Sequence, residues 1–339
     1  MTDWRPDVLG DEFEQLTLEL GEDDEGPVVA TLVRALPGEQ PWWDLRRWGS
    51  ALRRRPLNDV DVLYVHGWSD YFFQKRLARF WTARGARFFA LDLRKYGRSL
   101  RDGQTPGYIT DLATYDEDIA AALDAMGRGA EGASSTRRLV LLGHSTGGLT
   151  LSLWASRHPD TADAVILNSP WLEFQVASAR PLIAPVAELQ ARWAPREVAP
   201  QVDLGFYTRA QQEVADPDDP VETNPLWRPA QTMAVHAGWF HAILTGHATV
   251  AHGLTIDAPV CVLLSSRSAT PTRWSEDLTR ADSVLVVDDI ARAALKLGTS
   301  VTVERIDGAL HDVFLSRHEA REEAYRRLDR WVRGWSAVG

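Results

Sequence analysis

The chain has 339 residues, 45% of them hydrophobic and 25% charged, enough to bury a sizeable core in one large domain with or without an insertion. Aspartate and glutamate number 47 against 37 lysines and arginines, and the resulting net charge of −10 repels polyanions, so no nucleic-acid partner is expected. The first residues lack a basic-then-apolar signal, no stretch reaches the roughly 18 apolar residues of a membrane helix, and the single Cys261 permits neither an intramolecular disulfide nor a thiolate metal cluster. A soluble cytoplasmic protein without an integral membrane segment is the expectation.

In chain order, apolar runs at 13–20 and 28–36 read as an antiparallel pair of strands, joined by an acidic turn over 21–26 that needs only solvent. Arg53-Arg54-Arg55 beside Pro56 reads as an exposed loop. Further strands are expected at 60–66, 87–93, 139–144, 164–168, 260–265 and 301–306, which makes eight. Helical spacing appears at 71–83, 112–126, 148–157, 287–297 and 320–335, and the glycine- and serine-rich 127–136 reads as a loop. From the third strand on, strand and helix alternate, which requires a mostly parallel sheet covered on both faces. The interval 170–256 breaks this rhythm with helix-like stretches rich in Trp and His, and reads as a helical cap over the carboxyl ends of the strands. The expected organisation is a first core segment 1–169, a cap 170–256 and a second core segment 257–339. Trp171, Trp193, Trp227, Trp239 and Phe240 are available either to line an apolar pocket or to pack the cap itself.

The run from Arg138 to Gly148 ends an apolar strand in Gly143-His144-Ser145-Thr146-Gly147 and passes into a helix. A serine on so sharp a turn has its hydroxyl lifted clear of the sheet, which makes Ser145 the candidate nucleophile. A serine hydroxyl needs a base. Among nine histidines His311 is the best placed, in a loop at the carboxyl end of the last strand and thus on the same sheet edge as Ser145, whereas the neighbouring His144 points away on a tight turn. His236, His241, His247 and His252 are spaced by five, six and five, which does not stack them on one helix face, so no metal is expected.

The imidazolium needs an orienting carboxylate. No acid directly follows the strand 260–265. Glu276 and Asp277 sit within an inserted stretch, Asp288 and Asp289 read as acids of a helix N-terminus, and Asp282 is favoured among them. For the oxyanion, the backbone N–H of Thr146 is one donor, and the loop His66-Gly67-Trp68-Ser69-Asp70 can supply a second, most simply the N–H of Trp68.

Together these motifs resemble the α/β-hydrolase superfamily, in its branch of monoacylglycerol lipases, lysophospholipases and serine-aminopeptidase-like hydrolases. The likeness rests on His66-Gly67, on Asp92-Leu93-Arg94-Lys95-Tyr96-Gly97-Arg98-Ser99, on the Ser145 motif, on Asn224-Pro225-Leu226 and on Gly308-Ala309-Leu310-His311. It implies a Ser145–Asp282–His311 triad and an oxyanion hole at Trp68 and Thr146. The chain departs from the family pattern in three places. Lys95 and Tyr96 replace Gly and His, the acid lies after an insertion at 266–280, and Trp68 stands where a small residue is common. The expected activity is hydrolysis of a small-molecule carboxylic ester with an apolar acyl group, with no cofactor. A serine aminopeptidase or amidase, for which Glu173 and Glu213 could hold the substrate amine, and a non-catalytic ligand-binding relative are the alternatives.

Overall fold

The computed structural model describes residues 3–37, 56–129, 135–175, 180–201, 203–217 and 220–337. Arg53-Arg54-Arg55 and part of the loop 127–136 lie outside the described residues. The chain begins with an antiparallel meander, β1 (Arg5–Asp7), β2 (Gly10–Asp23) and β3 (Gly26–Ala35). Six strands follow, β4 (Val60–Val65), β5 (Arg87–Asp92), β6 (Arg138–His144), β7 (Ala164–Asn168), β8 (Val260–Ser265) and β9 (Val301–Ile306). They join one sheet in the order β1-β2-β3-β5-β4-β6-β7-β8-β9, with β3 antiparallel to β5 and every pair from β5 to β9 parallel. All eight expected strands are present. The ninth, β1, escapes periodicity because it is three residues long, contains Pro6 and has a register break beside it.

The helices are α1 (Lys75–Thr82), α2 (Tyr115–Ala125), α3 (Thr146–Arg157), α4 (Arg180–Trp193), α5 (Phe206–Glu213), α6 (Ala237–His252), α7 (Val287–Ala294) and α8 (His318–Ser336). The helix expected from residue 71 starts only at Lys75. Buried side chains take the backbone groups a helix would use: Phe72 N–H donates to Asp92 (2.8 Å), and Arg98 donates to the Phe72 carbonyl (3.0 Å). Between β7 and β8 stand α4, α5 and α6. α4 packs on α6, and α6 packs on α3 of the sheet layer.

The strands β4 to β8 are buried along their length and read as continuous apolar runs because each face of the sheet is covered. One apolar cluster joins α2, α3, α6 and α7 to one face. A second joins α1, α8 and Trp81 to the other. At the amino end of β4 the fully buried Asp61 collects three arginines, accepting from Arg87 at 2.6 Å through both oxygens, from Arg137 at 2.6 Å and from Arg128 at 3.0 Å. Burial pushes the Asp61 carboxyl upward, but the hydrogen bonds from Arg87 and Arg137 outweigh it and leave the pKa below the ordinary value.

Asp61→Asn would leave buried guanidinium charge without its anion, and we expect it to lower stability by about 3–5 kcal/mol. Because the folded-state pKa is depressed, the wild type holds this stabilisation at neutral pH and loses it as pH falls through the carboxylate range. Urea melts of both proteins at pH 7 and pH 3 should therefore show a smaller difference at pH 3.

Candidate active site

The ends of β4 and β6 lie level, with Val65 opposite Gly143, so the loops leaving them meet. Ser145 follows β6 and precedes α3. Its φ of 51° and ψ of −118° are a strained conformation for a residue with a side chain, of the order of 1–3 kcal/mol, and the surrounding packing must hold it. Glycines make the approach possible. A Cβ on Gly147 would lie 2.2 Å from the His66 carbonyl oxygen, and one on Gly143 would lie 2.7 Å from the Gly148 Cα. The Ser145 carbonyl accepts from Gly148, Leu149 and Trp171, which fixes the turn from beneath.

His311 Nε2 lies 3.0 Å from Ser145 Oγ, and His311 Nδ1 lies 2.9 Å from Asp282 Oδ2. All three side chains are buried: Ser145 is 8% exposed, His311 3% and Asp282 0%. The other oxygen of Asp282 accepts from the N–H groups of Val284 (2.7 Å) and Leu285 (2.8 Å), so the carboxylate is pinned from behind while it faces the ring. This partner set fixes the tautomer: Nδ1 carries the proton toward Asp282, and Nε2 is left to accept from the serine.

The insertion explains the late acid. Residues 266–280 loop out through a 3₁₀ turn at Glu276–Thr279 and return so that Asp282 bridges to Ser268, with Ala269 N–H on the Asp282 carbonyl and Asp282 N–H on the Arg267 carbonyl. Asp282 is thereby brought back beside the end of β8. The other acids considered are engaged elsewhere: Glu276 with Arg280 and Arg317, Asp277 with Arg267, Asp288 with Arg305 and Asp289 with Arg292. Asp312, next to His311 in sequence, turns its carboxylate the other way and accepts from Gln74, Asn168 and Phe314.

Trp68 and Thr146 lie on the two facing loops. Thr146 is the first residue of α3, so its N–H is one of the donors a helix leaves unpaired, and among the described residues neither it nor the Trp68 N–H has an acceptor. His66 fixes the Trp68 loop by accepting from Leu93 N–H through Nε2 (3.1 Å) and donating from Nδ1 to the Gly67 carbonyl (2.7 Å). Burial lowers the pKa of His66, as it does that of His144, so both rings are neutral at pH 7.

A cavity of about 350 Å³ opens over Ser145 and His311, walled by Trp68, Trp171, Phe206 and Tyr207. Of the five aromatics singled out between 170 and 256, Trp171 lines it. Trp239 stands behind the wall at 3.8 Å from Trp68 between ring centroids, Trp227 packs on Tyr71, Phe240 packs on Phe174, and Trp193 is exposed. Neither Glu173 nor Glu213 reaches this cavity. Sequence reasoning missed its polar end, where the buried Asp70 meets the partly buried Arg228 at 2.9 Å. Burial raises the pKa of Asp70 against the pull of Arg228. No spacing announces this pair, because one member follows β4 and the other comes from between α5 and α6. A larger cavity, about 410 Å³, lies on the other side of Arg228 and Thr208 and contains neither Ser145 nor His311. Three of the four clustered histidines bond to backbone: His236 to the Arg196 carbonyl, His247 to that of Trp171 and His252 to that of Ala248. Among the described residues no group of three or more His, Cys, Asp or Glu could hold a metal ion, and no helix is long and apolar enough to cross a membrane.

Residues 58–317 match the Hydrolase_4 family, described as serine aminopeptidase, S33. The chain belongs to this family. It is 33% identical over 118 residues to an esterase of Oryza sativa subsp. japonica, which is 33% of this chain and 38% of that protein. It is 27% identical over 155 residues to a monoacylglycerol lipase of Mycolicibacterium smegmatis, 45% of this chain and 52% of that protein. The chain thus spans about half or less of the curated relatives it matches. A soluble variant of monoglyceride lipase from Saccharomyces cerevisiae superposes with a TM-score of 0.62 at 14% identity, over 95% of this chain and 96% of that one. The fold is the α/β-hydrolase fold expected from the motifs.

Gly147→Ala would force a methyl into the His66 and Val65 carbonyls. We expect overpacking of about 1–3 kcal/mol, occasionally more, and a correspondingly lower thermal midpoint, with the two facing loops pushed apart. Thermal melts of this variant beside Gly334→Ala, where a Cβ meets nothing within 4 Å, test it.

Proposed function

We propose that this protein hydrolyses carboxylic esters through an acyl-enzyme. The observation that carries the proposal is the alignment of His311 between Ser145 at 3.0 Å and Asp282 at 2.9 Å. Ser145 Oγ attacks the ester carbonyl as His311 Nε2 takes its proton. Asp282 stabilises the imidazolium and holds its orientation. The N–H groups of Trp68 and Thr146 receive the developing oxyanion, the alcohol leaves with the proton from His311, and water repeats the sequence to release the acid. Residues 170–256 serve as a cap that roofs the site, and the walls of Trp68, Trp171 and Phe206 suit an apolar acyl group.

The family description favours a second reading, an aminopeptidase. That activity needs a carboxylate free to hold a substrate ammonium. Among the described residues the carboxylates bordering the cavity are Asp70, paired with Arg228, and Asp203, which accepts from Gly205 and Thr232. Both are spoken for, so the ester reading is preferred.

Hydrolysis of p-nitrophenyl esters from acetate to palmitate is expected to depend wholly on Ser145, with Ser145→Ala inert at every length. Turnover of aminoacyl anilides without ester turnover would favour the aminopeptidase, and failure of a fluorophosphonate probe to label Ser145 would sink both. Asp282→Asn should cut kcat on the order of 10⁴-fold by loss of the productive tautomer. Asp312→Asn, which does not face His311, should cost far less. The reverse ranking would reassign the acid.

A further inference from the structure

The acidic turn between β2 and β3, which composition alone assigns to solvent, is tied to the site along two lines. We propose that Glu25 is a positioning residue for the Trp68 loop, acting through Lys95 on one side and Arg196 on the other. The inference rests on the reading of Trp68 as an oxyanion donor.

Glu25 is the meeting point. Its side chain is 9% exposed, and its carboxylate accepts from Lys95 Nζ (2.6 Å), from the Thr105 hydroxyl (2.5 Å) and N–H (3.2 Å), and from Arg196. Asp23 shares Lys95 at 2.5 Å and Asp24 shares Arg196 at 2.6 Å. Three segments distant in sequence are therefore joined by charge: the tip of the hairpin, the loop after β5, and the chain after α4.

The first line runs through Lys95, whose side chain is 2% exposed and whose φ is +63°, in the left-handed region where the family pattern has glycine. A lysine holds that conformation at a cost its buried ion pairs offset. The next residue, Tyr96, sets its ring edge-on against His66 at 4.9 Å and Trp68 at 5.9 Å between centroids. Gly107, whose N–H is on the Lys95 carbonyl, closes behind: a Cβ there would lie 2.6 Å from Tyr96 and 2.8 Å from Trp68. The second line runs through Arg196, whose guanidinium lies 4.6 Å over the Tyr108 ring and whose carbonyl accepts from the His236 ring at 2.7 Å. His236 immediately precedes α6, and the chain after α4 is bonded to that end again by Ala237 N–H to the Glu197 carbonyl and Gly238 N–H to the Pro195 carbonyl. α6 carries Trp239, whose ring packs tilted against Trp68 at 3.8 Å between centroids. Both lines end on the same indole.

The charges are strong enough for this role. Burial pushes the Glu25 carboxyl up, but hydrogen bonds from Lys95, Thr105 and Arg196 outweigh it and bring the pKa down to about 2, so the clamp stays charged across the working pH range. Removing the anion would leave the Lys95 ammonium buried with one partner fewer.

The test compares wild type, Glu25→Gln, Arg196→Ala and Arg196→Lys on p-nitrophenyl acetate, with sites counted by fluorophosphonate titration and stability followed by thermal melting. Glu25→Gln keeps the shape and loses the charge. We expect kcat per titrated site to fall about tenfold, a fraction of the roughly 10²–10³-fold loss from deleting an oxyanion donor outright, with KM little changed. Arg196→Ala should fall in the same sense, and Arg196→Lys should recover most of the rate. Arg196 is partly exposed, so its variants keep the test open if Glu25→Gln does not fold. A lower melting temperature with normal kcat per site in both Glu25→Gln and Arg196→Ala would make the cluster a structural brace and overturn the proposal. An active wild type with unaffected variants overturns this inference alone, whereas a wild type without serine-dependent turnover overturns the hydrolase reading as well.

Discussion

The close approach of the Ser145 turn to the end of β4 is the constraint on which the rest of the site depends. Two parallel strands that end level would ordinarily keep their loops a strand spacing apart. Here Gly147 sits where any side chain would strike the His66 and Val65 carbonyls, and Gly67 faces Ser145 with room for no more than a tight contact. That close approach accompanies the strained backbone of Ser145, with the first residue of α3 and the Trp68 loop on either side of it. The strain is local, and it is held by the buried central strands, whose packing is far larger than the strain itself.

His311 and Asp282 reach that space by different means. His311 arrives directly, at the end of β9 after a turn in which Gly308 has a φ of +67°. Asp282 arrives by detour, since the insertion after β8 first leaves the sheet and then returns to pair with Ser268. A carboxylate needs only its final position to be fixed, and the two backbone N–H groups on Asp282 Oδ1 do this whatever path the chain took. An excursion between strand and acid is therefore tolerated, provided its two ends are sewn together.

Around this centre the molecule spends charge in places where composition suggests only solvation or apolar packing. Asp61 gathers three arginines under the sheet, Arg98 bridges Asp7 and Asp92, Asp70 holds Arg228 at the cavity, and Glu25 joins two cations across three segments. Buried pairs of this kind add little over well-packed apolar residues, but they are strict about geometry. Each one fixes the register of segments that the apolar core alone would allow to slide.

The sequence by itself determined the strand-helix alternation and pointed to the Ser145 turn and to His311 at the end of the last strand, because each is written within a few neighbouring residues: apolar period, glycine flanking serine, histidine just past a strand. It also favoured Asp282, although only the bridge to Ser268 decided how that residue comes to face His311. Tertiary structure alone decided the pairing of Asp70 with Arg228, the joining of the acidic turn to Lys95 and Arg196, and which aromatics between β7 and β8 face the cavity. These depend on contacts between segments far apart in the chain. A single side chain's type reveals that it can carry a charge or fill a volume, while the partner that gives it a role is chosen only when the sheet has brought both to one place.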